Sequence, residues 1–197
     1  MKKLFGFLAA GLLLANMTGC ASFYLDTATR EIPVEAYKKP AAPKPVQVVF
    51  EFQTKGVANA TATKYLSAQV VEQIKGSGLF SEVKDTPVAD GALLNVVLNN
   101  VPLTDDAFSK GFVTGLTFGL AGSQVSDGYV CTIKYLPSPQ DAAIDKTARH
   151  AIHTVMGAKE GPNNGTKVES LEVAVKTMTR QIVSTALDDL SRDPAFR

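Results

Sequence analysis

Cys131, His150 and His153 are the residues of this chain best suited by type to hold a metal ion. Thiolate and imidazole are the usual zinc donors, and a structural zinc site takes four of them in a tetrahedron. Their spacing works against a shared site. If residues 129–136 and 147–156 form a β-hairpin, Cys131 lies opposite Ile152 or His153. Positions 150 and 153 differ by an odd number, so their imidazoles point to opposite faces of a regular strand. No metal site is expected, and Cys131 is read as a small buried hydrophobe. Gly76-Ser77-Gly78 opens like a dinucleotide fingerprint, yet Ser81 stands where the third glycine belongs and a helical pattern precedes it. Gly122-Ser123-Gln124 lacks the flanks of a nucleophile elbow. Asp105-Asp106 and Asp188-Asp189 suit the capping or solvation of an element. No catalytic residue is assigned, and an enzyme is not expected.

The amino terminus carries the strongest chemical signal. Lys2 and Lys3 precede an apolar run from Leu4 to Leu14, and small residues lead to Cys20. This is the order of a secretory signal peptide, and the run is shorter than the about 20 apolar residues that span a bilayer. Met17-Thr18-Gly19-Cys20 resembles the bacterial lipobox, with Met17 where Leu is usual. The resemblance implies cleavage before Cys20, followed by a thioether-linked diacylglyceryl group and an N-acyl chain on that residue. No other cofactor is expected. One acyl chain holds a protein to a membrane only marginally, whereas two or more hold it stably. Ala21 and Ser22 follow the cysteine, where enteric bacteria use Asp for inner-membrane retention, which implies the periplasmic face of the outer membrane.

Losing Lys2 and Lys3 with residues 1–19 leaves 18 basic against 19 acidic residues. A nucleic-acid binder shows a basic stripe, so none is expected as a partner, and a polybasic membrane patch is also excluded. With Cys20 carrying lipid, Cys131 has no intramolecular disulfide partner. The length after residue 45 suits one domain with its own core. The expected organisation is a signal peptide over 1–19, a lipidated cysteine and Pro-rich tether over 20–45, and a single domain over 46–197. Pro33, Pro40, Pro43 and Pro45 favour an extended spacer, reaching on the order of 70–80 Å at about 3.1 Å per residue.

Within the domain, Val46, Val48, Phe50 and Phe52 alternate as in a strand. Ala62, Leu66, Val70 and Ile74 line one face of a helix over 59–75, capped by Asn59 or Thr61 and ended by Gly76 and Gly78. Residues 80–85 form a weak strand. Residues 92–101 form a stronger one, apolar enough at first for burial on both faces. Strands over 129–136 and 148–156 pair as a hairpin. Thr166-Lys-Val-Glu169 fits a capping box, followed by an apolar stripe of Val168, Leu171, Val175, Met178, Ile182, Ala186 and Leu190. The expectation is an α+β fold, a mixed or antiparallel sheet of about five strands with two helices packed on one face.

Gly111 to Gly122, GFVTGLTFGLAG, carries no charge, and the uncharged run to Ser126 is too short to span a membrane. Three placements satisfy it: burial of Phe112, Leu116, Phe118 and Leu120 in the core, contact of these residues with the membrane near Cys20, or contact with a partner protein. As a surface, these four are the candidate contact residues.

The lipobox, the Pro-rich stretch, Leu116-Thr-Phe-Gly-Leu120 before Asp127-Gly-Tyr-Val130, and His150-Ala-Ile-His153 ahead of Gly157 and the closing helix are together similar to a broad group. It is that of proteobacterial outer-membrane lipoproteins with a small periplasmic α/β domain. The layout also resembles the curli-secretion lipoprotein, the TolB amino-terminal domain and lipoprotein subunits of envelope complexes. Such proteins bind other proteins or envelope lipids without catalysis. The resemblance implies a non-catalytic interaction or accessory module of a cell-envelope complex, with an envelope protein as partner. The alternative is a lipid or small-ligand carrier with a pocket between the sheet and the last helix.

Overall fold

The computed structural model describes residues 21–103, 124–157 and 160–197. Its strands are β1 (Ala21–Asp26), β2 (Pro45–Thr54), β3 (Val57–Ala58), β4 (Glu82–Lys84), β5 (Ala92–Pro102), β6 (Gln124–Leu136), β7 (Ile144–Met156) and β8 (Gly165–Val168). The helices are α1 (Ala60–Gly76) and α2 (Leu171–Ser191), with a 3-10 turn at Val34–Ala36. One sheet runs β3-β2-β5-β6-β7-β1-β8, and β4 lies parallel to the start of β2. β2 and β5 are parallel, joined through α1, whereas β5, β6, β7, β1 and β8 pair antiparallel. The α+β class is as expected. The sheet is larger than the five strands anticipated, because β1, β3 and β8 join it.

Both helices pack on the same face of the sheet. Leu66, Val70 and Ile74 of α1 meet Val46, Val48 and Phe52 of β2 and Leu94, Val96 and Leu98 of β5 in one core. Met178, Ile182, Leu187 and Leu190 of α2 complete that core with Cys131, Ile133, Tyr135 and Ile152. The helices are tied side by side where Gln69 and Gln73 of α1 donate from Nε2 to the carbonyls of Lys176 (2.9 Å) and Arg180 (2.8 Å). Phe80, Tyr135 and Phe196 close one corner, with ring centroids 5.0–5.9 Å apart.

Local signals hold where polar groups must be satisfied. Asn59 caps α1 by accepting from the Ala62 N–H at 3.0 Å. At α2 the cap is Ser170, which accepts from the Val173 N–H at 3.2 Å, in place of the capping box expected at Thr166 and Glu169. Thr166 and Val168 belong instead to β8, and Leu171 is half exposed. On β5 the even-numbered residues from Ala92 to Leu98 are buried and their odd neighbours only half buried, so one face, and not both, meets the core.

The expected spacer over 21–45 is part of the fold. Its first six residues form β1, hydrogen-bonded to β7 on one side and β8 on the other. The stretch that follows runs along α2, whose hydroxyls take its backbone donors. Ile32 N–H donates to Ser184 Oγ (2.9 Å) and Lys38 N–H to Ser191 Oγ (3.1 Å). Tyr37 is buried, which together with Asp188 and Glu31 pushes its hydroxyl up to about 12. Prolines make a chain extended, but an extended chain docks beside a helix whose serine oxygens, themselves donating to helix carbonyls, can still accept its N–H groups.

Candidate functional site

The end of the sheet beside Cys20 gathers several exceptional features. Ala21, the neighbour of Cys20, pairs with Met156 at the end of β7. Gln124, which opens β6, pairs with Val155, and Pro102, which ends β5, pairs with Asp127. Two strand starts and two strand ends therefore share one rim. Val125 (57% exposed) and Met156 (53%) leave large apolar side chains in solvent there. The chain leaves this rim at Leu103, whose N–H bonds the Ser126 carbonyl (3.3 Å), and returns to it at Gln124. Cys20, Phe112, Leu116, Phe118 and Leu120 lie outside the described residues.

The two imidazoles point to opposite faces of β7, as their spacing requires. Cys131 pairs with Ala148, four or five residues before the expected Ile152 or His153, because β7 begins at Ile144 and sets the register earlier. Cys131 is fully buried and its thiol is pushed up to about 12 by that burial, so it remains a protonated core residue.

His153 lies on the face turned away from the helices, in a buried polar cluster. Its Nδ1 is 2.7 Å from Ser126 Oγ and its Nε2 is 3.4 Å from Asp26 Oδ2. Asp26 in turn accepts from the Ala28 N–H at 2.7 Å and from Asn164 Nδ2 at 2.5 Å. The connectivity is that of a charge relay, but a nucleophile must be reached by its substrate, and Ser126 is only 8% exposed and His153 0%. The cluster fastens β1 to β6, β7 and the loop before β8. Sequence reasoning missed it because Asp26 and His153 are 127 residues apart, and no local pattern links them.

His150 faces α2. The Ala151 N–H points at His150 Nδ1 from 2.8 Å, closer than the Ala151 carbonyl at 3.1 Å, which puts the ring proton on Nε2. Nε2–H then donates to Gln181 Oε1 at 2.6 Å. Burial is the main influence on this imidazole and lowers its pKa, which keeps it neutral. Beside this pair, between β1, β8 and α2, a solvent-open cleft of about 380 Å³ runs along Leu25, Thr27, Arg30, Val168, Thr177 and Gln181. A pocket between the sheet and the last helix was the feature a carrier required. No helix among the described residues is long and apolar enough to cross a membrane.

No family model and no curated protein matches the chain. Among solved structures it is similar to a PelC dodecamer from Paraburkholderia phytofirmans, at 12% identity over 87% of this chain and 98% of that one, with a TM-score of 0.38. It is also similar to rare lipoprotein B from Shewanella oneidensis, at 14% identity over 71% of this chain and 87% of that one, with a TM-score of 0.29. Likeness at this level transfers neither fold nor role, so the residues themselves must carry the reading.

Proposed function

We propose that this chain is a lipid-anchored, non-catalytic accessory module of the cell envelope, held with the rim of its sheet directly at the outer-membrane surface. The observation that carries this is the position of Ala21, which follows Cys20 and is already paired with Met156. Consecutive Cα atoms are about 3.8 Å apart, so acyl chains on Cys20 place that rim, and not a distant tether end, at the headgroups. Val125 and Met156 face outward at the same rim, where apolar side chains meet a membrane or a partner at little cost. Phe112, Leu116, Phe118 and Leu120 are proposed as further contacts on the strength of their apolar sequence alone. The burial of Ser126 and His153 supports a binding role over a hydrolytic one.

Photo-crosslinking in intact cells, with probes at Val125 and at Phe118, tests the proposal. A discrete adduct with one envelope protein, lost when Cys20→Ser prevents lipidation, is expected. Membrane-bound protein that yields no protein adduct from either probe would overturn the accessory reading.

A further inference from the structure

The cleft between β1, β8 and α2 is built to donate hydrogen bonds. Its floor is Leu25 and Val168, and polar groups ring it: Thr27, Thr29, Arg30, Thr166, Thr177 and Gln181. The orientation of the Gln181 amide is decided from behind. His150 Nε2–H occupies Oε1 of Gln181, so the amide nitrogen, a donor with two protons, is left for the cleft. Among the described residues nothing accepts from that nitrogen, from the hydroxyls of Thr27, Thr166 and Thr177, or from the Arg30 guanidinium. Thr29 is engaged, donating to the Arg149 carbonyl at 2.6 Å. The one carboxylate at the border is also engaged, since Asp26 accepts from Ala28 and Asn164 and belongs to the His153 face of the sheet. Glu31, the next acid along the chain, is paired with Arg180 at 3.2 Å. The cleft thus offers one cation and several donors, while its one bordering carboxylate, Asp26, is turned to the opposite face of the sheet.

We infer that this cleft is a binding site for an oxyanion, the carboxylate or phosphate group of a small hydroxylated molecule or of a lipid headgroup. Arg30 supplies the planar fork that recognises carboxylate and phosphate, and Gln181 supplies a positioned neutral donor. The threonines, able both to donate and to accept, suit the hydroxyls of the same ligand. A volume of about 380 Å³ falls at the lower end of the roughly 300–1,000 Å³ of small-molecule sites. An acyl chain laid in the cleft would offer these donors no partner, whereas an oxyanion satisfies them. Of the two cargoes the carrier alternative allows, a lipid or a small ligand, this favours a polar one. The inference does not depend on the anchor or on an envelope partner.

The test is a nuclear magnetic resonance titration of the mature chain in detergent with inorganic phosphate. Ionic strength is matched by chloride, because phosphate also strengthens folding non-specifically by exclusion from the surface. A second titration uses nanodiscs with and without phosphatidylglycerol. Saturable shifts confined to Thr27, Arg30, Thr166, Thr177 and the Gln181 side-chain amide are expected. Shifts with free phosphate assign the site to a soluble ligand. The same shifts seen only with phosphatidylglycerol assign it to a headgroup, and either result supports the site. Arg30→Gln, at an exposed position that leaves the core intact, should weaken binding at least about ten-fold. Lys84→Gln, remote on β4, should leave it unchanged. Absence of cleft shifts in both titrations, or shifts that persist undiminished in Arg30→Gln, would overturn the inference.

Discussion

Replacing Asp26 by alanine tests whether the segment after Cys20 is fold or spacer. The side chain is fully buried, and it holds three donors or potential donors: the Ala28 N–H at 2.7 Å, Asn164 Nδ2 at 2.5 Å and His153 Nε2 at 3.4 Å. Ala28 is exposed, so its N–H turns to water at small cost. Asn164 and His153 each lose an acceptor in a partly or fully buried setting, at about 1–3 kcal/mol apiece. The expected loss for Asp26→Ala is therefore about 2–6 kcal/mol, a large share of the roughly 5–15 kcal/mol that holds a domain together. For a chain of this size, at about 2–4 °C per kcal/mol, that corresponds to a fall in Tm of roughly 4–24 °C. Equilibrium urea unfolding of the mature chain in detergent measures it, with the m-value showing whether the folded state stays compact. Asp26→Asn keeps the shape and one oxygen but sets an NH2 group among donors, so its loss should be smaller and still measurable. A free spacer would give a change within about 0.5 kcal/mol. That result, with m unaltered, would refute the burial of β1 between β7 and β8.

Ile182→Ala, in the centre of the α2 core, should cost about 2–5 kcal/mol, while Glu72→Ala, which removes the exposed pair with Lys75, should change stability by less than about 0.5 kcal/mol in the same assay. The lowered pKa of His150 makes stability acid-sensitive. Above the ordinary value of 6.5 both folded and unfolded states are neutral and stability is full; below it the unfolded chain takes up the proton first. Stability should then fall by up to about 1.4 kcal/mol per pH unit until the folded value is reached, and His150→Gln should remove that share from a pH series of urea melts. Cys131, with its thiol pushed up to about 12 by burial, should resist maleimide in the native state and label fully in denaturant, as read by mass.

What could be read locally was read from periodicity and caps. The α1 face, the Asn59 cap, the alternation of β2 and the long apolar stripe of α2 each repeat within one element, so a chain of side chains in order is enough to reveal them. β1 also alternates, with Phe23 and Leu25 against Ser22, Tyr24 and Asp26, but its place beside a lipobox and before four prolines gave it the look of a linker. β8, Gly-Thr-Lys-Val, is too short and polar to declare itself, and Thr166 with Glu169 three residues on has the pattern of a capping box.

The sequence by itself determined the α+β class, the apolar faces of both helices, the opposite orientation of His150 and His153, and the resemblance of Met17–Cys20 to a lipobox. These follow from local periodicity and spacing. Only the tertiary structure decided that β1 is an interior strand, that Asp26, Ser126 and His153 share one buried cluster, and that His150 turns the Gln181 amide toward a cleft with Arg30. Each of those depends on pairing between segments more than a hundred residues apart or on the register of neighbouring strands. Backbone hydrogen bonds across the sheet set that register, and no single segment encodes them.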